Sequence, residues 1–295
     1  MSEYRRGLVY GFATYVVWGI VPLYWSLMNE VSPLEILAHR VVWGLVALAG
    51  IVGITGAMPA VRAALADRRT VAVMGVSGAL ILINWGIFIG AVSAGQLLDA
   101  SLGYFVAPLV SVGLGTLVLH ERMRVLQWLA IGLAVAGVVI LSWRVGHVPW
   151  ISLVLAVSFA SYALVRKLAR VESLAGSTIE TLLLTPPAVL YLAILAAHGG
   201  GHLGHARVGT QLLLLSTGVV TAVPLLSFAS AARRIPLSTV GFLQFLAPTE
   251  QFVLALVVYG QSFARDQLIA FGCIWLGLIA FSVDLVRQAR VSYRS

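Results

Sequence analysis

Glu35, His39 and Arg40 lie within six residues, in the stretch SPLEILAHRVVW at positions 32–43. A carboxylate, an imidazole and a guanidinium that close can hold an anion, pass a proton or form a charge-paired lock. On a helix, Glu35 and His39 stand one turn apart on a single face, which Trp43 continues. Arg40 points roughly 140° away from Glu35 and needs a separate partner. Two readings stay open for the trio: a polar lock near an outer gate, or a site for a substrate carboxylate or a proton. Glu250, in APTEQF, stands alone in a long apolar run, where an unpaired carboxylate is expensive. It must be protonated, paired with Arg40 or a ligand, or turned to water. Glu180, close to Ser177, reads as a helix-start acid near the end of its run.

Other side chains in the apolar runs carry chemistry of a weaker kind. Trp18, Asn84, Trp85, Tyr104, Tyr162 and Gln244 either line a path for an amphipathic solute or pack. Pro22, Pro108, Pro224 and Pro248 each remove a backbone hydrogen bond and can free a carbonyl, giving expected kinks. HGGGHLGH at 198–205 gathers three histidines, but its glycines read as a flexible outer loop and no metal is expected there. No nucleotide loop or catalytic motif appears, so neither a cofactor nor enzymatic chemistry is expected.

The elements that position these residues follow from composition. Of 295 residues, 60% are hydrophobic and 10% charged, against about 25% charged in soluble domains. Apolar runs of about 20 residues can cross a bilayer as helices. Ten are present, at 7–28, 33–53, 70–94, 99–119, 124–143, 149–167, 176–197, 209–231, 238–259 and 266–286. The run after Arg5 and Arg6 lacks a cleavage-site pattern and reads as an uncleaved first span. The net charge of +8 is scattered over short loops, a distribution that suits membrane topology rather than nucleic acid. With the N-terminus cytoplasmic, fifteen of the nineteen Arg and Lys residues fall inside, including Arg62, Arg69, Arg166, Lys167 and Arg170. Arg144, Arg207 and Arg265 fall outside, and Arg40 lies within a span. Both termini are therefore expected in the cytoplasm. Cys273 is the only cysteine, which excludes an internal disulfide.

The chain also repeats itself. Residues 107–142 set against 247–282 give nine identities without a gap, among them Pro108/Pro248, Gln127/Gln267, Gly132/Gly272 and Gly137/Gly277. Glu35 aligns with Glu180 in a weaker echo. Two halves of five helices result, 1–145 and 146–295, and the odd number inverts the second relative to the first. Inverted repeats accompany secondary transporters with a site near the midplane.

YGFATYVVWGIVPLYW (10–25), EILAHRVVW (35–43), NWGIFIGAV (84–92), ASLGYFVAPLVSV (100–112), ERMRVLQWLA (121–130) and LSTVGFLQFLAP (237–248) closely resemble RarD proteins. These form part of the EamA group of the drug/metabolite transporter superfamily. The resemblance implies an all-α membrane protein of the bacterial inner membrane, with ten transmembrane helices in two inverted five-helix EamA repeats. It further implies a transporter of small metabolites or drugs, amino acids included. Glu250 stands where the family usually carries an apolar residue, and Gln261 where it usually carries glutamate. The expected function is secondary transport by alternating access, either proton-coupled or facilitative export. A membrane enzyme and a non-transporting subunit or receptor are the alternatives. The expected partners are a small-molecule substrate, the lipid bilayer and protons, with no nucleic acid. Monomer and homodimer are both compatible with the sequence.

Overall fold

A chain in hydrocarbon must satisfy its backbone N–H and C=O groups internally, so each long apolar run closes into a helix. The computed structural model describes residues 2–94, 96–143, 149–258, 260 and 264–291. Among them lie twelve α-helices and no strand. In chain order they are α1 (Glu3–Trp25), α2 (Pro33–Thr55), α3 (Met58–Ala66), α4 (Arg68–Ser93), α5 (Leu97–Leu117) and α6 (Val125–Trp143). There follow α7 (Trp150–Leu168), α8 (Ser173–Ala197), α9 (Val208–Arg234), α10 (Leu237–Gln244), α11 (Leu246–Val257) and α12 (Arg265–Val291). Ten segments are long and apolar enough to span a membrane, α10 and α11 forming one of them together. The expected boundary at 145/146 lies outside the described residues, as do Arg144, Gln261 and Arg294.

Local signals set the ends. Ser32 accepts the Glu35 N–H at 3.2 Å and Pro33 opens α2, while Gly56, at φ 67°, closes it. Two features were not read from the sequence. The short α3 occupies the loop before α4, and the ninth span breaks between Gln244 and Leu246. Pro248 lies just beyond that break and cannot donate to the Gln244 carbonyl. Pro22, Pro108 and Pro224 sit inside continuous helices. Pro22 still has an effect: it leaves the Trp18 carbonyl without a helical donor, and Gln251 Nε2 reaches that oxygen at 3.4 Å.

The helices interlock. α1 packs on α9 and α11, while α7 packs on α4 and α5. α2 meets α8 and α9, α8 meets α2 and α4, α5 meets α10, and α6 meets α12. The α6–α12 contact is reciprocal. A Cβ on Gly137 would come 2.7 Å from the Ala270 carbonyl oxygen, and one on Gly277 would come 2.8 Å from that of Ala130. Both partners are related by the same shift of 140 residues. Gln127 accepts the Arg124 N–H at 2.9 Å, and Gln267 accepts the Ala264 N–H at 3.0 Å, again 140 apart.

Gly137→Val places methyl groups on a neighbouring backbone, so detergent-purified protein should lose about 1–3 kcal/mol. Gly132, on the same helix, has open space beside it, and Gly132→Ala should melt at or above the wild-type temperature.

Candidate functional site

Gly218 brings α2 and α9 together, because a side chain there would collide with the Trp43 carbonyl. Close approach lets Arg40 Nε donate to Thr221 Oγ1 at 3.1 Å. The guanidinium lies over two indoles, 5.0 Å from the Trp25 ring centre and 4.5 Å from that of Trp85. Such contacts contribute about 0.5–2 kcal/mol each, depending on desolvation. Tyr104, which meets Phe88 edge-on at 5.6 Å, is an electrostatic neighbour of Arg40. Among the described residues no carboxylate pairs with Arg40, so its pairing with Glu250, one of the sequence-based alternatives, is not found. Its other four N–H groups have no protein acceptor there.

Arg40 forms one end of a cavity between α2, α4, α8 and α9 whose lining includes Trp85, Ser177, Glu180, Thr181 and Thr221. The space is tight, about 20 Å³ for the centres of water-sized spheres, enough for about one water. Glu180 belongs to the same lining but is not the interfacial acid that its position near Ser177 suggested. It is buried, hydrogen-bonded by Ser77, and meets Arg166 Nη1 at 3.4 Å and the Tyr162 hydroxyl at 3.4 Å. Arg166, counted among the loop charges, is 1% exposed and also donates to Ser177 Oγ at 3.0 Å and the Ser173 carbonyl at 3.3 Å.

Glu35 and His39 face elsewhere. Glu35 is buried and accepts the His202 backbone N–H at 2.6 Å, with His202 Nδ1 2.9 Å from its second oxygen. His39 Nδ1 accepts from the Trp43 indole at 3.2 Å, which puts the ring proton of neutral His39 on Nε2, 3.8 Å from Glu35. The histidine loop is therefore organised at its centre rather than slack. Gly199, Gly201 and Gly204 have φ of 71°, 102° and 88°, backbone bends that deliver His202 to Glu35. Among the described residues no three His, Cys, Asp or Glu side chains gather as a metal-ligand set.

The remaining sequence candidates are tied to neighbours. Trp18 and Tyr162 belong to an aromatic cluster with Tyr15, Phe159 and Phe228, in which Tyr162 stacks on Phe228 at 5.4 Å. Asn84 donates to the Leu155 carbonyl at 2.9 Å and Ser158 at 3.0 Å, pinning α4 to α7. Gln244 donates to Ser111 at 3.0 Å, joining the broken ninth span to α5. Glu250 packs against Gly19, where any Cβ would collide with its carboxylate, and its Oε2 is buried with no hydrogen-bond partner among the described residues. Glu121 was not singled out from the sequence. It accepts the Leu237 and Ser238 N–H groups at 2.6 and 2.9 Å, capping α10, and lies 3.9 Å from Lys167. Lys167 in turn donates to the Ile235 carbonyl at 2.6 Å.

Residues 5–143 match the EamA-like transporter family. Protein RarD of Escherichia coli K12 is 41% identical over 98% of this chain and 98% of its own length. Protein RarD of Streptomyces exfoliatus is 40% identical over 99% of this chain and 92% of its own. The chain belongs to the RarD family of EamA-like transporters. YojE of Bacillus subtilis, described as an uncharacterized transporter, is 38% identical over 99% of this chain and 98% of its own. One crystal structure superposes with a TM-score of 0.74 at 18% identity, covering 95% of this chain and 98% of that one. That likeness speaks for the fold alone. A RarD-family chain with ten apolar helices is a multi-pass membrane transporter of the drug/metabolite type, with a small-molecule substrate and the lipid bilayer as partners. Its bacterial relatives support the inner membrane as its place.

Removing one partner of a buried ion pair strands the other charge, which costs about 3–5 kcal/mol. Glu180→Leu and Arg166→Met should each lower the melting temperature sharply. The double variant should recover much of the loss, and additive losses in the double-mutant cycle would exclude coupling.

Proposed function

We propose that this protein is an alternating-access secondary transporter in which Arg40 takes the anionic group of a small metabolite, amino acids included. The observation that carries the reading is a guanidinium inside a membrane span with two indoles beside it, four free N–H groups and no acidic partner among the described residues. An arginine within a span costs up to about 2.5–3.5 kcal/mol on insertion scales, most at the centre, a cost a substrate carboxylate or phosphate would help to offset. Trp85 and Tyr104 flank the anion's path, and Trp18, Tyr162, Asn84 and Gln244 hold the surrounding helices in place.

On this reading the pairs at the two ends of the bundle are gates. Glu35 with His202, supported by His39, closes the outer end. Glu121, with Lys167 and the start of α10, closes the inner end. The tight cavity between them matches a closed arrangement. Alternation then means opening one end at a time, with the break before Pro248 as a hinge and Pro22, Pro108 and Pro224 as softer points. The reciprocal glycines of α6 and α12 and the paired caps of Gln127 and Gln267 support two inverted repeats, 1–145 and 146–295. Glu250, half-buried against Gly19 with no hydrogen-bond partner for Oε2 among the described residues, is the proton-carrying group of a coupled export cycle. The basic loops support cytoplasmic termini.

Counterflow of a panel of amino acids and related anions in proteoliposomes tests the site. Arg40→Gln should abolish exchange of the accepted anion, while Arg62→Gln, on exposed α3, should leave it intact. Wild-type exchange in an Arg40→Gln variant of unchanged melting temperature would remove Arg40 from the site. Glu250→Gln should keep exchange but lose the response to an imposed pH gradient, and a preserved response would deny Glu250 the proton. For topology, cysteine at Gly200 in a Cys273→Ser background should react with an impermeant reagent outside intact cells. Cysteine at Ser2 should not.

A further inference from the structure

A second, much larger space lies away from the Arg40 cavity, at the end of the bundle where α4 begins and α7 ends. It is a groove of about 550 Å³, with Arg69 and Arg170 at its mouth and Val73, Val76, Val165 and Leu168 along its wall. Arg69 and Arg170 are exposed. Val76 and Leu168 are 53% and 58% exposed, although both belong to membrane-spanning helices, so the wall opens to hydrocarbon. Met74, Ala169 and Val171 form a buried apolar floor. Two guanidiniums therefore stand at the level of the headgroups, and a greasy channel runs from them into the acyl layer.

We propose that this groove holds an anionic phospholipid, its phosphodiester between Arg69 and Arg170 and one acyl chain along the valine wall. Basic pockets between helices at a membrane surface suit such headgroups, and arginine donors match phosphate oxygens in pairs. Asp67 also lines the mouth but is committed to the start of α4. It accepts the Arg69 and Thr70 N–H groups at 3.1 and 3.2 Å and the Thr70 hydroxyl at 2.6 Å. Those bonds, the Thr70 hydroxyl foremost, hold its carboxyl below the usual range, so it stays ionised. The mouth thus carries a net single positive charge at neutral pH, which selects an anionic lipid over a zwitterionic one. The same bonds occupy the Arg69 and Thr70 amides in the first turn of α4, leaving the arginine side chains as the main anion donors. The volume suits a headgroup with its first methylenes, where a free phosphate would leave the apolar wall unused.

The test is lipid binding by native mass spectrometry of the full-length protein, with phosphatidylglycerol and phosphatidylcholine as probes. Wild type should retain phosphatidylglycerol selectively, and Arg69→Gln/Arg170→Gln should weaken that retention by about tenfold or more. Arg62→Gln/Arg287→Gln, an exposed basic pair outside the groove, should behave as wild type. Val76→Trp, which fills the apolar wall, should weaken phosphatidylglycerol binding, and glycerol 3-phosphate should compete poorly. Equal retention by wild type and an Arg69→Gln/Arg170→Gln variant that melts normally in phosphatidylcholine would overturn the site. Full competition by glycerol 3-phosphate, with no effect of Val76→Trp, would make the occupant a soluble phosphate and overturn the lipid.

Discussion

Glu180 is held by Arg166, Ser77 and Tyr162, and those four side chains tie α4, α7 and α8 together inside the bundle. Inside the bundle such a carboxylate has room for about one water beside it, so the helices that answer it must stay in register. The same constraint orders the other polar groups. Asn84 spends its amide on α7, Gln244 on Ser111, and Glu35 on the loop after α8. Arg40 and Glu250 are exceptions: Arg40 is answered by one hydroxyl and two ring faces, and Glu250 Oε2 has no hydrogen-bond partner among the described residues. The contrast between groups that are satisfied and those that are not separates scaffold from site more sharply than residue type does.

Much of this architecture was legible in the chain. The ten spans follow from run length, because a helix is the simplest solution for an apolar backbone in lipid. Arg40 was legible as a charge needing a partner, since its helical direction parts it from Glu35. The partners themselves were not. Glu35 meets His202 across 167 residues and Glu121 caps α10 across 116, and no local periodicity records such pairings. Arg166 looked like an ordinary loop charge because it lies two residues before the end of α7. Its burial comes from α8 folding back over it. The echo between Glu35 and Glu180 was the one available signal that Glu180 is more than a helix-start acid. The glycines at 199–204 misled in the opposite direction: they suggested slack, whereas three positive φ angles are bends of one defined turn.

The cation at one end of the central cavity and the acid at the other differ in kind. Glu180 has its charge answered within the protein, so it shapes the wall. Arg40 keeps donors in reserve, and on the proposed reading those donors make an incoming anion more welcome than water. Tryptophan faces suit that role because they attract the cation without neutralising it. A carboxylate in their place would fill the site permanently.

The packing of α1 on α9 and α11 bears on how the protein is made. Thr14 on α1 hydrogen-bonds the Pro224 carbonyl on α9, 210 residues further along the chain. At ordinary synthesis rates of roughly 5–20 residues per second, that partner arrives about 10–40 s later. Until then α1 waits in the bilayer with the glycines that will seat α9 and α11 facing lipid. The ribosome therefore delivers a helix whose neighbours do not yet exist, and the first half matures only when the second has threaded in around it.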